Sequence, residues 1–283
     1  MAKIAIITDS TAYLKKEYVK KHNIRVIPLN LHWDGDTFKD GVDISPDEFY
    51  NRMKASSTLP TTSQPTYGDF QAIFNEYASD YDGIIVALIS SGISGTVDSA
   101  LMAQKSFKEI PVEVIDTKTT AGGQALIVKA IAASVESGKS LQEVASLARE
   151  IVAQICTYFM VDTLKYLHKG GRIGGASRYF GTALNIKPIL YLNEEGKIDA
   201  LEKVRTKKKA VSRLLELAVE KAAGKKCYVG VYHAQALKEA EAVRDEIQQN
   251  LDCYEVGIYK ISPVIGTHVG PGALGISVHT VAY

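Results

Sequence analysis

The sequence predicts an α/β protein of two domains. Residues 1–155 read as a three-layer α/β/α domain on a parallel sheet. Residues 156–283 read as a two-layer domain on a mixed sheet. Three observations carry this. The first half alternates continuous apolar runs with amphipathic segments that bear helix-start signals, the pattern of parallel strands covered on both faces. In the second half, two strands meet through Asn193-Glu194-Glu195-Gly196, a hairpin signal. Finally, 283 residues with 46% apolar and 23% charged side chains suffice for one large core or two ordinary ones.

Taken in order, "KIAIIT" (3–8) is a buried strand and "IRVIPLNLHW" (24–33) a second. Ser45, Pro46 and Glu48 open a helix with a capping box, and Thr66 and Asp69 repeat the device before the apolar face of Phe70, Ile73, Phe74 and Tyr77. "GIIVALI" (83–89) and "VEVID" (112–116) are further strands, each followed by a helix, the second running to about Val135. Ser140 and Glu143 cap another helix. Beyond 156 come the hairpin strands, a helix from Thr206, the strand "CYVGVYHA", a helix marked by Leu237, Ala240, Val243, Ile247 and Leu251, and the final strands "YEVGIYKI" and "LGISVHTVA". No Pro/Gly-rich linker separates the halves, so a cleft between them is the expected binding site.

Composition excludes several functions. A net charge of +1 gives no bulk attraction to nucleic acid or an anionic membrane. "MAKIAIITDSTAYL" reads as a first strand rather than a signal peptide, and no apolar run is long enough for a membrane span. Cys156, Cys227 and Cys253 show no CxxC or zinc spacing, and the six histidines no HExxH. The expectation is a cytoplasmic protein with reduced cysteines and no metal or other cofactor.

In a parallel sheet, ligands sit beyond the carboxyl ends of the strands. Three such ends here are rich in hydroxyls: Thr8-Asp9-Ser10-Thr11, Ser90-Ser91-Gly92-Ile93-Ser94-Gly95-Thr96 and Asp116-Thr117-Lys118-Thr119-Thr120. The loop "LPTTSQPT" (59–66) adds more. Taken singly, Ser10, Ser91, Thr117 and Thr120 are expected to cap helices. Together the ends suggest an anion site, because glycines admit a ligand to the backbone and the next helix offers unpaired N–H groups. Ser94 is either a nucleophile or a holding group. The hydrolase elbow needs G-x-S-x-G, and here the second glycine comes one place early. The candidate base is His268, in the glycine-shaped loop "VIGTHVGPGALG". "LHKGGRIGGASR" carries Lys169, Arg172 and Arg178, and "KVRTKKKA" gathers Arg205 and Lys207 to Lys209. Two such basic clusters suit an anionic ligand or an acidic partner.

"ITDSTAYL", "TTSQPT", "SSGISGT", "GGRIGG" and "GTHVGPGALG", in that order across the whole chain, resemble the DegV family. The resemblance implies a fatty acid in a tunnel between two domains. It also implies the binding subunit of a bacterial fatty acid kinase, which presents a long-chain fatty acid to a separate ATP-using kinase subunit. The acyl phosphate formed would feed phospholipid synthesis. On the family pattern the carboxylate lies against Thr62, Ser94 and His268, with Thr61 fitting equally within one residue, and the helix start at Gly95 is placed to add an N–H. Arg172 and Arg205 match the family's arginines at the site mouth and for kinase docking. No ATP motif is present, and transient contact with a membrane is compatible with this role. Two rival readings stand beside it: an acyl hydrolase using Ser94 and His268, and a protein that binds a small phosphorylated or carbonyl metabolite.

Overall fold

A computed structural model describes residues 2–181 and 186–283. In chain order its strands and helices are β1 (Ile4–Asp9), α1 (Lys16–Lys21), β2 (Ile24–Ile27), β3 (Asn30–Trp33), β4 (Asp36–Lys39), α2 (Pro46–Ala55), β5 (Thr61–Ser63), α3 (Tyr67–Tyr77), β6 (Gly83–Leu88), α4 (Thr96–Ser106), β7 (Val112–Asp116), α5 (Ala121–Glu136) and α6 (Leu141–Gln154). There follow β8 (Cys156–Met160), α7 (Lys165–Lys169), β9 (Lys187–Leu192), β10 (Ile198–Val204), α8 (Lys207–Ala222), β11 (Cys227–His233), α9 (Leu237–Asn250), β12 (Cys253–Lys260), α10 (Pro263–Val269) and β13 (Leu274–His279).

The N-terminal region holds a parallel four-stranded sheet in the order β2-β1-β6-β7. One face packs on Phe70, Phe74, Val97 and Ala100 of α3 and α4. The other packs on Ile127, Ile131, Val144 and Ile151 of α5 and α6. The C-terminal region holds a mixed six-stranded sheet, β10-β9-β8-β13-β11-β12, in which only β11 and β12 run parallel. Leu214, Ala218, Val243 and Ile247 of α8 and α9 cover one of its faces. The opposite face meets α5, so this one helix lies between the two sheets. Twelve of its residues are accordingly buried, as expected of a helix that is apolar all round. Contact there is close. A Cβ placed on Gly230 of β11 would come within 2.8 Å of the Gly122 carbonyl oxygen of α5.

All three capping boxes, at Ser45/Glu48, Thr66/Asp69 and Ser140/Glu143, form as the sequence predicts. The segment 24–33 does not form one strand. It breaks at Pro28-Leu29, so that β2 joins the parallel sheet while β3 becomes the middle of a small antiparallel sheet, β4-β3-β5. Proline cannot donate to a ladder, which is why the break falls there. The four single hydroxyls expected to cap helices do other work. Ser10 bonds Asp40 and the Leu29 N–H, Ser91 bonds Asp116, Thr117 bonds the Leu88 carbonyl, and Thr120 makes no side-chain cap bond. No helix among the described residues is long and apolar enough to cross a membrane.

Replacing Gly230 by alanine forces β11 and α5 apart and should lower unfolding free energy by about 1–3 kcal/mol. Gly68 is helical and its Cβ direction is open apart from Thr66 Oγ1 at 3.7 Å. Gly68→Ala should therefore stabilise by about 0.5–1 kcal/mol. Urea unfolding of both variants checks the pair, and equal effects would contradict the packing described.

Candidate functional site

The parallel sheet reverses direction of winding between β1 and β6, the place where such sheets hold ligands. A cavity of ≈ 810 Å³ of atom-free space, its open mouth included, lies beyond the strand ends there. Its walls come from both regions. Leu29, Ile89, Ile93 and Ala121 face Phe159, Leu167, Leu192, Ile198, Tyr232, Ile261, Val264, Ile265 and Val269. The lining is thus mainly apolar, with a few polar groups: Thr62, Ser63, Gln64, Ser94, Thr120, Thr157, Arg172 and His268.

Each of the polar residues is placed by a local cause. Thr62 sits on β5, paired with Leu31 of β3, and lines the cavity together with the adjacent Ser63 and Gln64. Thr61, one position away, is exposed and lies outside the lining. Ser94 and Gly95 form the turn into α4, with Gly95 at the N-cap. The bare Cα of Gly95 is covered by Gln64, whose Nε2 would stand 2.6 Å from a Cβ there. His268 is not in a loop. It occupies α10, a short helix that begins with Pro263 and ends before Gly270, where φ is 73°. Arg172 is fixed by donating from Nε to the Ile93 carbonyl at 3.2 Å and from Nη1 to the Gly170 carbonyl at 2.8 Å.

His268 Nε2 lies 2.8 Å from Thr62 Oγ1, and Ser94 Oγ lies 2.8 Å from Thr96 Oγ1. No hydrogen bond joins Ser94 to His268 among the described residues, so the geometry of a serine with its base is not formed. Burial, with the Arg172 charge adding to it, lowers the His268 pKa to about 4. The imidazole is therefore neutral near pH 7, and Arg172 supplies the positive charge at this end of the cavity. The His268 Nδ1 is buried without a partner among the described residues, and Gly170 lies so close that a Cβ would stand 2.2 Å from it. Arg205 is exposed at the end of β10 and does not line the cavity. The structure therefore brings Thr62, Ser94, Arg172 and His268 to one cavity and leaves Thr61, Gly95 and Arg205 outside its lining.

Sequence reasoning missed Asp40, which holds α10 in place. Ser262 is the N-cap residue of α10 but makes no cap bond with its side chain. It donates instead to Asp40 Oδ1 at 2.6 Å, while Ser10 Oγ donates to Asp40 Oδ2 at 2.8 Å. The Val264 N–H also faces this carboxyl. Asp40 thus caps from outside the helix that carries His268. Nothing local marks the role, because the two residues are 222 apart in sequence.

Comparison with known proteins agrees with this architecture. The model of a family described as "Uncharacterised protein, DegV family" matches residues 3–281. Protein DegV of Bacillus subtilis is 37% identical over 275 residues, covering 96% of this chain and 98% of that one. A DegV family protein from Thermus thermophilus, described by its fatty acid binding, superposes with TM-score 0.93 at 32% identity, over 99% of this chain and 100% of the other. DegV of Bacillus subtilis, described as a fatty acid binding protein, gives TM-score 0.90 at 36% identity, over 98% and 99% of the two chains.

Burial pushes the Asp40 carboxyl from 3.8 up to about 6, against the hydrogen bonds from Ser262, Ser10 and Val264. Asp9, Tyr13 and Tyr50 also face it. A carboxyl raised on folding binds its proton more tightly in the folded state. Its cost to stability is absent below about pH 4, grows up to about pH 6, and is complete above, on the order of 2–3 kcal/mol. Unfolding of Asp40→Asn should therefore show a larger gain, or smaller loss, relative to wild type at about pH 7.5 than at about pH 4.5. A difference that does not change with pH would remove this account.

Proposed function

The chain belongs to the DegV family, and on that footing we propose that it is a fatty-acid-binding protein rather than itself a catalyst. It holds a long-chain acid with its carboxylate at Thr62, Ser94 and His268 and its tail among the apolar walls. The observation that carries this reading is the cavity itself, a mainly apolar space in which Thr62, Ser94 and His268 also line the wall and Arg172 is the only Lys or Arg to do so among the described residues. A buried carboxylate needs hydrogen bonds or it takes up a proton. The two hydroxyls, the imidazole and the start of α4 are suited to supply them. Burying the tail contributes about 0.8 kcal/mol per CH₂, so the chain supplies most of the affinity and the polar end sets its direction. The fatty acids bound by the Thermus and Bacillus relatives support the same ligand class.

The acid bound in this way is presented to a separate ATP-using kinase subunit in the cytoplasm, which converts it to an acyl phosphate for phospholipid synthesis. Arg172 acts at the mouth of the site, and Arg205, which is exposed, is offered to the kinase. The hydrolase reading has less support, because His268 is engaged with Thr62 rather than Ser94. A small phosphorylated metabolite would leave the apolar walls unfilled.

Organic extraction of the purified protein followed by mass spectrometry should yield a fatty acid. An empty protein that also binds no long-chain acid in titration would overturn the reading. Thr62→Val, Ser94→Ala and His268→Ala should each weaken binding by about tenfold or more, as for loss of one hydrogen bond to a charged group. Thr61→Val should bind as wild type, and Arg172→Ala and Arg205→Ala should impair kinase-coupled turnover more than binding. Labelling of Ser94 by a serine-reactive phosphonate would favour the hydrolase instead.

A further inference from the structure

Thr120 stands at the head of α5 without capping it. Its side-chain oxygen is buried with no hydrogen-bond partner among the described residues, and the residue is only 9% exposed. Buried hydroxyls are nearly always bonded, so an orphan next to a cavity marks the place of a missing acceptor. Thr120 and Ala121 both line the cavity. The backbone is extended at Thr120 and turns into the left-handed region at Ala121, where φ is 51°. That conformation is costly for a residue with a Cβ. It is held by the Ser90 N–H donating to the Thr119 carbonyl at 2.9 Å and the Gly123 N–H to the Thr120 carbonyl at 3.2 Å.

The other hydroxyls deep in this wall are engaged. Thr157 Oγ1 bonds Thr119 and Ser277 at 2.7 and 2.8 Å, and the Tyr232 hydroxyl donates to the Tyr158 carbonyl at 3.2 Å. Thr120 Oγ1 is the donor left over. It coincides with the positive end of a helix of 16 residues. Two independent features therefore favour electron density at one spot in a wall whose other hydroxyls are already bonded. No Lys or Arg other than Arg172 lines the cavity among the described residues, so the spot suits a neutral acceptor rather than a second carboxylate.

We propose that Thr120 and the N-terminus of α5 form a second polar station in the cavity, which takes a neutral hydrogen-bond acceptor on the acyl chain itself. A hydroxyl oxygen and the π face of a cis double bond both have this chemistry. The station sets which fatty acids the protein prefers, and it rests on the fatty-acid reading of the cavity.

The test is competitive titration of stearate, oleate and a set of hydroxystearates against wild type, Thr120→Val and Thr120→Ser. Wild type should bind oleate or one hydroxystearate at least about threefold tighter than stearate, the size of a modest net hydrogen bond. Thr120→Val, with nearly the same shape, should lose that ratio and keep stearate. Thr120→Ser, which retains the hydroxyl, should restore it. Preference for oleate alone identifies the double bond, and preference for a hydroxystearate alone the oxygen. Equal ratios in wild type and Thr120→Val would overturn the station while leaving the fatty-acid reading intact. Failure of wild type to bind any of the ligands would instead overturn that reading.

Discussion

The arrangement of this molecule depends on one helix being shared by two sheets. α5 covers the parallel sheet with Ile127 and Ile131 and at the same time closes the open face of the six-stranded sheet. The sharing is possible because Gly122 and Gly230 let backbone approach backbone, where any side chain would collide. Polar side chains fix the contact as well. Thr119, Thr157 and Ser277 form one buried chain of hydroxyls from the start of α5 to β8 and β13. Gln124 reaches the other way, to Thr8 and Thr11 beside β1. Buried networks of this kind are stabilising only when satisfied, so they set the position of α5 tightly and with it the shape of the cavity at its head.

Much of the architecture was legible in the sequence because it rests on local signals. Capping boxes such as Thr66/Asp69 involve residues three apart, and the turn at Asn193–Gly196 is defined by its own residues. The candidate site was legible in part for the same reason: strand ends rich in Ser and Thr stand out. What could not be read locally is decided by distant partners. The choice between Thr61 and Thr62 depends on where β5 is placed against β3, with Leu31 opposite Thr62, which no signal local to the loop sets. The role of Asp40 requires a serine 222 residues later. Thr120 looked like a helix cap because caps and free hydroxyls share the same residue types; only the three-dimensional structure shows which it is.

The electrostatics of the polar end are economical. One guanidinium, tied by its own hydrogen bonds to Ile93 and Gly170, contributes the charge. Burial, with that same charge adding to it, keeps His268 neutral, so the imidazole acts as a hydrogen-bonding group of fixed position rather than a second cation. An arrangement with two full charges would pay a larger desolvation cost in so apolar a space.

The turn at Gly196 has a further meaning. Ser90 Oγ donates to the Gly196 carbonyl at 2.8 Å, and both Gly92 and Gly196 lack the side chains that would keep the two turns apart. Leu192 and Ile198, on either side of this turn, are also cavity wall. The clasp between the turns and the filling of the cavity are thus read out by the same hairpin. By reciprocity, a ligand that binds better with the hairpin seated must strengthen the clasp by the amount that the clasp strengthens it. A single buried serine hydroxyl, outside the cavity lining, is thereby coupled to the occupancy of a space that it does not touch.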